Sequence, residues 1–144
     1  MQFIGFFREL TNGNADVYKD GIPSPGSGVN YPSAEVSRYL RSGYPVLDVM
    51  ELTTDMIGGS FRVPGGSSVL TDGSHAWRLD LASYVQYHRI QLPQDFVNFI
   101  RDHRYRIPAV KQETLVEISV TVARELNFRT DPAAGPRSSA TVRP

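Results

Sequence analysis

The chain has 144 residues, 40% hydrophobic and 21% charged, which suits one domain with a single core that needs no metal or disulfide support. Fifteen basic residues balance fifteen acidic ones, and a neutral chain is a poor general binder of nucleic acid, an affinity that comes from many Lys and Arg on phosphates. The lack of cysteine removes disulfides, zinc–thiolate sites and thiol catalysis, and no run nears the ~20 apolar residues of a membrane span.

Residues 2–8 are apolar but short, with no basic start and no cleavage signature. They read as a buried first strand rather than a signal peptide, so a cytoplasmic location is expected. Residues 11–32 hold Asn12-Gly13, Gly21, Pro23, Pro25, Gly26, Gly28 and Pro32. Turn formers at that density break helix and strand repeatedly. A loop this long is either functional or mobile. Ser33 then looks like the N-cap of a helix over 34–42, with Val36, Tyr39 and Leu40 on one face and Gly43 as its stop. Residues 45–52 alternate loosely as a strand candidate, and the Gly58-Gly59 and Gly65-Gly66 pairs flank another at 60–63.

The stretch 65–85 is the most informative. Asp72-Gly73 fits a type I′ hairpin turn between strands near 68–71 and 75–78. Trp77, the only tryptophan, follows the turn and is expected to be buried as an anchor between strand and helix. Asp80 is placed to cap a helix whose apolar face is Leu81, Tyr84, Val85 and His88. Residues 90–92 connect to Pro93, which suits the first turn of a helix running to about His103, with Phe96, Val97 and Ile100 inward. Residues 112–127 read both ways. Val116, Ile118, Val120 and Val122 alternate, while Leu115, Ile118, Val122 and Leu126 mark a helical stripe; length and surface charge favour helix. Residues 129–144 are expected to be a disordered tail behind a domain of 1–128. The expected fold is α+β: a small, mostly antiparallel sheet with about four helices.

Chemistry is sparse. His75, His88 and His103 show no i, i+4 pairing and no HExxH, and His88 and His103 each end a predicted helix, where a cationic ring suits the dipole. Asp72, Arg78 and Asp80 bracket Trp77. They could act as acid, anion clamp and second acid, or serve the turn, a salt bridge and a cap. The glycine pairs form neither GxGxxG nor GxxxxGK[ST], and no serine sits in GxSxG. The aromatics Tyr84, Tyr87, Phe96 and Phe99 read as core and core edge rather than a base-stacking platform. No metal, cofactor or intrinsic catalysis is expected.

The pattern Gly-Gly-Ser-x-x-Leu-Thr-Asp-Gly-x-x-x-Trp-Arg-x-Asp-Leu-x-x-Tyr-Val at 65–85 continues as Tyr87-His88-x-Ile90-x-Leu92-Pro93-x-x-Phe96-Val97. Over roughly 58–105 it resembles small bacterial cytoplasmic immunity proteins associated with polymorphic toxins. The resemblance implies a protein that binds and neutralises a toxin domain by occlusion, and it carries over no catalytic residue. Charge agrees, because residues 1–72 hold five basic and eight acidic side chains, a net of −3, and residues 73–144 carry +3. An acidic half would steer a basic partner. The expected contacts are Asp16, Tyr18, Asp20, Asp48, Glu51 and Asp55, with loop 11–32 reaching across the partner. Rival readings are an enzyme with a dispersed site, and an adaptor or structural subunit of a larger assembly.

Overall fold

The expected hairpin forms. Strands β5 (Val69–Thr71) and β6 (His75–Arg78) pair antiparallel with Thr71 opposite Ala76. In the computed structural model, which describes residues 1–10, 16–26, 29–127 and 140–142, the turn sits one residue later than its dipeptide suggests. The Asp72 N–H donates to the His75 carbonyl, so the central pair is Gly73-Ser74 rather than Asp72-Gly73. Only Gly73 takes positive φ, +99°. That is the requirement of a type II′ turn and not of type I′, which needs it at both central positions. The Asp72 carboxylate explains the frame: it accepts the Ser74 and His75 amides at 2.9 and 2.8 Å, which makes Asp72 the first corner.

Five strands form one sheet in the order β1-β6-β5-β2-β7. β2 (Tyr44–Val49) pairs antiparallel with β5 on one side and with β7 (Ala140–Val142) on the other. β1 (Gln2–Ile4) pairs parallel with β6, Gln2 facing His75. The sheet is therefore mixed: mostly antiparallel, with one parallel edge. A parallel pair needs a long crossover, and the body of the domain between β1 and β6 supplies it. A separate two-stranded hairpin, β3 (Leu52–Thr54) with β4 (Arg62–Pro64), follows β2.

There are four helices among the described residues: α1 (Ser33–Arg41), α2 (Leu81–His88), α3 (Gln94–Asp102) and α4 (Gln112–Glu125). The ambiguous span near 112–127 is thus helix, and the fold is α+β as expected. Alternation along the central strands sends residues to two faces. Leu70 and Trp77 join Tyr39, Leu40, Leu81, Val85, Phe96 and Ile100 under α1, α2 and α3. Val69 and Ala76 join Leu115, Ile118 and Val122 under α4. Trp77 is fully buried, as expected, with its Nε1–H donating to the Leu40 carbonyl at 2.8 Å.

Two caps differ from expectation. Ser33 lies inside α1, and Pro32 precedes it as the cap residue with no side-chain bond. Asp80 occupies the cap position of α2, but its carboxylate makes no cap bond. It is claimed by Arg78, through Nε to Oδ1 at 3.1 Å and Nη2 to Oδ2 at 2.8 Å. A two-pronged charged contact is worth more than one bond to an amide.

The tail expectation meets one correction. Ala140–Val142 extend the sheet as β7, while 129–139 and 143–144 lie outside the described residues. Of loop 11–32, residues 11–15, 27 and 28 lie outside them too. The described part lies against the body instead of projecting. Arg8 N–H donates to the Asp20 carbonyl at 2.8 Å, Ile22 N–H to the Glu9 carboxylate at 3.0 Å, and Tyr31 Oη–H to the Ile90 carbonyl at 2.6 Å.

Candidate functional site

The β3–β4 hairpin leaves the main sheet, and a free two-stranded ribbon is marginal in water. Three anchors hold this one. At its base Gly65 N–H donates to the Glu51 carbonyl at 2.7 Å. On its inner face Thr53 presses on Gly66 so closely that a Cβ there would lie 1.8 Å from Thr53 Oγ1, so position 66 has room only for glycine. The Thr53 hydroxyl donates to the Val63 carbonyl of β4 at 3.5 Å, which ties the two strands of the ribbon together.

The third anchor is Asp55, at the start of the connecting loop. Its carboxylate accepts the Ile57 and Ser60 amides, each at 2.9 Å, and meets His88 Nε2 at 2.6 Å. The neighbouring Met56 N–H donates to Tyr84 Oη at 2.9 Å. One buried carboxylate therefore folds the loop and ties it to the end of α2. Burial pushes the Asp55 carboxyl up, but the His88 imidazole and the two amides outweigh this and hold it below the usual carboxylate range.

This gives a pH dependence with a definite sign. A folded-state pKa below the unfolded ~3.9 means that the contribution is present above that pH and is lost as pH falls through the folded value. Asp72 acts the same way. Burial raises it, and the bonds from His75, Tyr39 and Ser74 more than offset the rise. Urea unfolding followed from pH 6 to pH 2 should show the Asp55 and Asp72 contributions lost below about pH 4, partly offset by Asp80, whose carboxyl burial raises and which acts with the opposite sign. Asp55→Asn should flatten part of that loss and cost about 1.5–3 kcal/mol at pH 7, the range for hydrogen bonds to a charged group. An Asp55→Asn profile parallel to wild type would remove Asp55 from this account.

What the hairpin displays is apolar. Met50 is 82% exposed, Leu52 55% and Met56 56%, and Tyr87 beside the loop is 54% exposed with its ring 5.3 Å from that of Phe61. Asp48 and Glu51 flank Met50 in sequence. Together with Leu52, Pro64 and Ser68 they line an open groove of about 590 Å³. Exposed large apolar residues mean little singly but more in a group, and methionine adapts to irregular partner surfaces.

The six expected contact residues fall into three sets. Asp48 and Glu51 lie in this groove, half-buried, with Ser67 Oγ–H donating to Glu51 Oε1. Asp16 and Asp20 are exposed on the N-terminal loop and do not line it. Tyr18 and Asp55 are tied into the body of the domain. Tyr18 is half-buried, with its ring edge-on to Phe6 at 5.5 Å and its hydroxyl accepting from Arg78 Nη1 at 3.4 Å. Asp55 is 5% exposed and its oxygens are already engaged by Ile57, Ser60 and His88, which leaves it little surface for a partner. Met50, Leu52 and Met56 were missed. Their signal is a break in alternation: Val46, Leu47 and Val49 are buried, and Met50, Leu52 and Met56 after them are exposed.

Other polar side chains pair within the chain. Asp72 accepts from Tyr39 Oη–H at 2.6 Å and pairs with His75 Nδ1 at 2.9 Å. His103 Nδ1 lies 2.8 Å from the Phe99 carbonyl. Every buried side-chain nitrogen and oxygen among the described residues has a partner. Among those residues there is no cluster of three metal-ligating side chains, and no helix long and apolar enough to cross a membrane. No known family, curated protein or solved structure matches the chain.

Proposed function

We propose that this chain is an immunity-type protein that binds a basic toxin domain through the β3–β4 hairpin and blocks it by occlusion. One observation carries the reading: Met50, in the link from β2 to β3, and Leu52, at the start of β3, stand exposed in a groove that Asp48 and Glu51 also line. An apolar centre with a charged rim is the anatomy of a protein-binding patch. The centre supplies affinity, and the carboxylates steer a basic partner and speed its approach. The resemblance at 65–85 lends a different kind of support. Its residues build β5, β6 and α2, so it describes the scaffold that holds the hairpin rather than the contact itself.

The test is co-expression with the toxin encoded beside this gene, scored by growth and by complex formation on size exclusion at micromolar concentration. Rescue of growth is expected from the wild type. The double variant Met50→Asp, Leu52→Asp should bind at least thirtyfold more weakly, as for the loss of a hot spot of ~2 kcal/mol or more. Asp48→Lys with Glu51→Lys should slow association more at low salt than at high salt. Unchanged killing together with no complex would end this reading.

A further inference from the structure

Among the described residues β1 is an outer strand, with β6 on one side and no strand on the other. Gln2 N–H donates to the Ser74 carbonyl of the β6 side at 3.3 Å. Backbone groups of successive strand residues point to alternate sides, so the Phe3 N–H and C=O point away from β6. Among the described residues no backbone group pairs with them. An unpaired edge of this kind is a template for another extended chain.

The space beside that edge is bounded. A cavity of about 370 Å³ has Phe3, Ile4 and Gly5 on one side and Asp20, Gly21 and Pro23 on the other. A second cavity of about 390 Å³ shares Gln91, Leu92 and Gln94 with the first and continues toward Tyr31 and Val97. Together they make one groove with the dimensions of a ligand site. Its outer wall is already set, because Ile22 is tied to Glu9, Asp20 to Arg8, and Gly26 N–H to the His88 carbonyl at 3.3 Å. A preformed wall lowers the ordering cost of binding.

The lining selects the occupant. It contains no Lys or Arg, which argues against phosphate-bearing ligands. Its prolines offer no N–H, while the side-chain amides of Asn30, Gln91 and Gln94 can donate and accept along a peptide backbone. Tyr31 is already bonded to Ile90 and is pushed up to about 12 by burial, so it stays a neutral phenol. The remaining ionisable side chain is that of Asp20.

We propose that this groove takes an extended peptide segment of a partner protein as an added strand on β1, a segment uncharged except for one basic side chain facing Asp20. This mode draws affinity from main-chain bonds and specificity from the cavity that receives alternate side chains. The site shares no residue with the β3–β4 groove and does not depend on the toxin reading.

The experiment selects random twelve-residue peptides, displayed on phage, against the full-length chain, then measures enriched synthetic peptides by calorimetry and by amide hydrogen exchange. Gln94 is exposed and lines both cavities, so Gln94→Trp should fill the groove without disturbing the core and weaken binding at least tenfold. Asp20→Asn should weaken it severalfold, more at low salt. In the complex the Phe3 amide should exchange at least ten times more slowly, a readout that needs no variant. Leu52→Asp on the hairpin should leave peptide binding unchanged. The proposal is overturned if no peptide is enriched, if Gln94→Trp binds as wild type does, or if Phe3 exchange is unaltered by the peptide.

Discussion

Trp77→Ala should remove about 3–5 kcal/mol of stability and lower the melting temperature by about 10–15 °C, read by urea and thermal unfolding followed by circular dichroism. A domain of this size holds only about 5–15 kcal/mol in all, so the variant should sit near the edge of folding. The size of the effect follows from position. The indole is fully buried where sheet and helices meet, with Tyr39 and Phe96 rings 5.9 and 5.6 Å away. Gly43 exists to admit it, since a Cβ there would lie 2.8 Å from Trp77 Cζ2. Loss of Nε1 also strands the Leu40 carbonyl, which it serves at 2.8 Å. Trp77→Phe keeps most of the apolar volume but not that bond, and should fall between wild type and alanine. A loss below about 1 kcal/mol for Trp77→Ala would mean that the strand–helix junction does not depend on the ring.

Arg78→Met should cost about 3–5 kcal/mol, although it puts a chain of similar length in place of arginine. Arg78 is 3% exposed and Asp80 1%. Removing the guanidinium leaves Asp80 buried without its counter-charge and takes a donor from the Leu10 carbonyl, held at 3.2 Å by Arg78 Nη1. Burial already raises the Asp80 carboxyl against the pull of Arg78, and without Arg78 it should rise further. A group whose folded pKa lies above its unfolded value contributes most below the unfolded pKa, ~3.9, and loses that contribution as pH rises. The gap between Arg78→Met and wild type should therefore be smallest near pH 4 and widen toward pH 7. Adding Asp80→Leu should recover most of the loss, because a buried pair replaced by apolar side chains is often neutral. Urea unfolding of the wild type, both single variants and the double variant at several pH values tests all three statements. A pH-independent gap, or a double variant no better than Arg78→Met, would show that packing around the arginine matters more than its charge.

Local pattern made part of the fold legible. The β5–β6 hairpin and α2 could be read because turn, strands and apolar face lie within about twenty residues of one another. Helix α4 was legible from the spacing of Leu115, Ile118 and Val122, which all reach the core. The parallel pairing of β1 was not, since nothing near Gln2 marks a partner at His75. Competition between side chains hid the cap of α2: Asp80 is a good cap residue by type, but Arg78 two residues earlier is a stronger partner. The candidate site was half legible. Acidic residues at 48 and 51 marked the place, while the outward turn of Met50 and Leu52 depends on where β2 ends, and element boundaries are weakly encoded locally. Asp55 read as a surface acid because burial of a carboxylate depends on distant donors, here His88 on α2.

The parallel edge has a consequence for how the chain is made. Phe3, Ile4, Phe6 and Phe7 leave the ribosome long before His75, the residue beside which β1 will lie. At about 5–20 residues per second the interval is on the order of 4–15 s. For that time four large apolar side chains have no sheet to join. They form a natural grip for chaperones that hold nascent chains and, where these are scarce, a point from which newly made copies can associate. Yield during expression should therefore respond to synthesis rate and chaperone supply more than the stability of the finished domain would suggest.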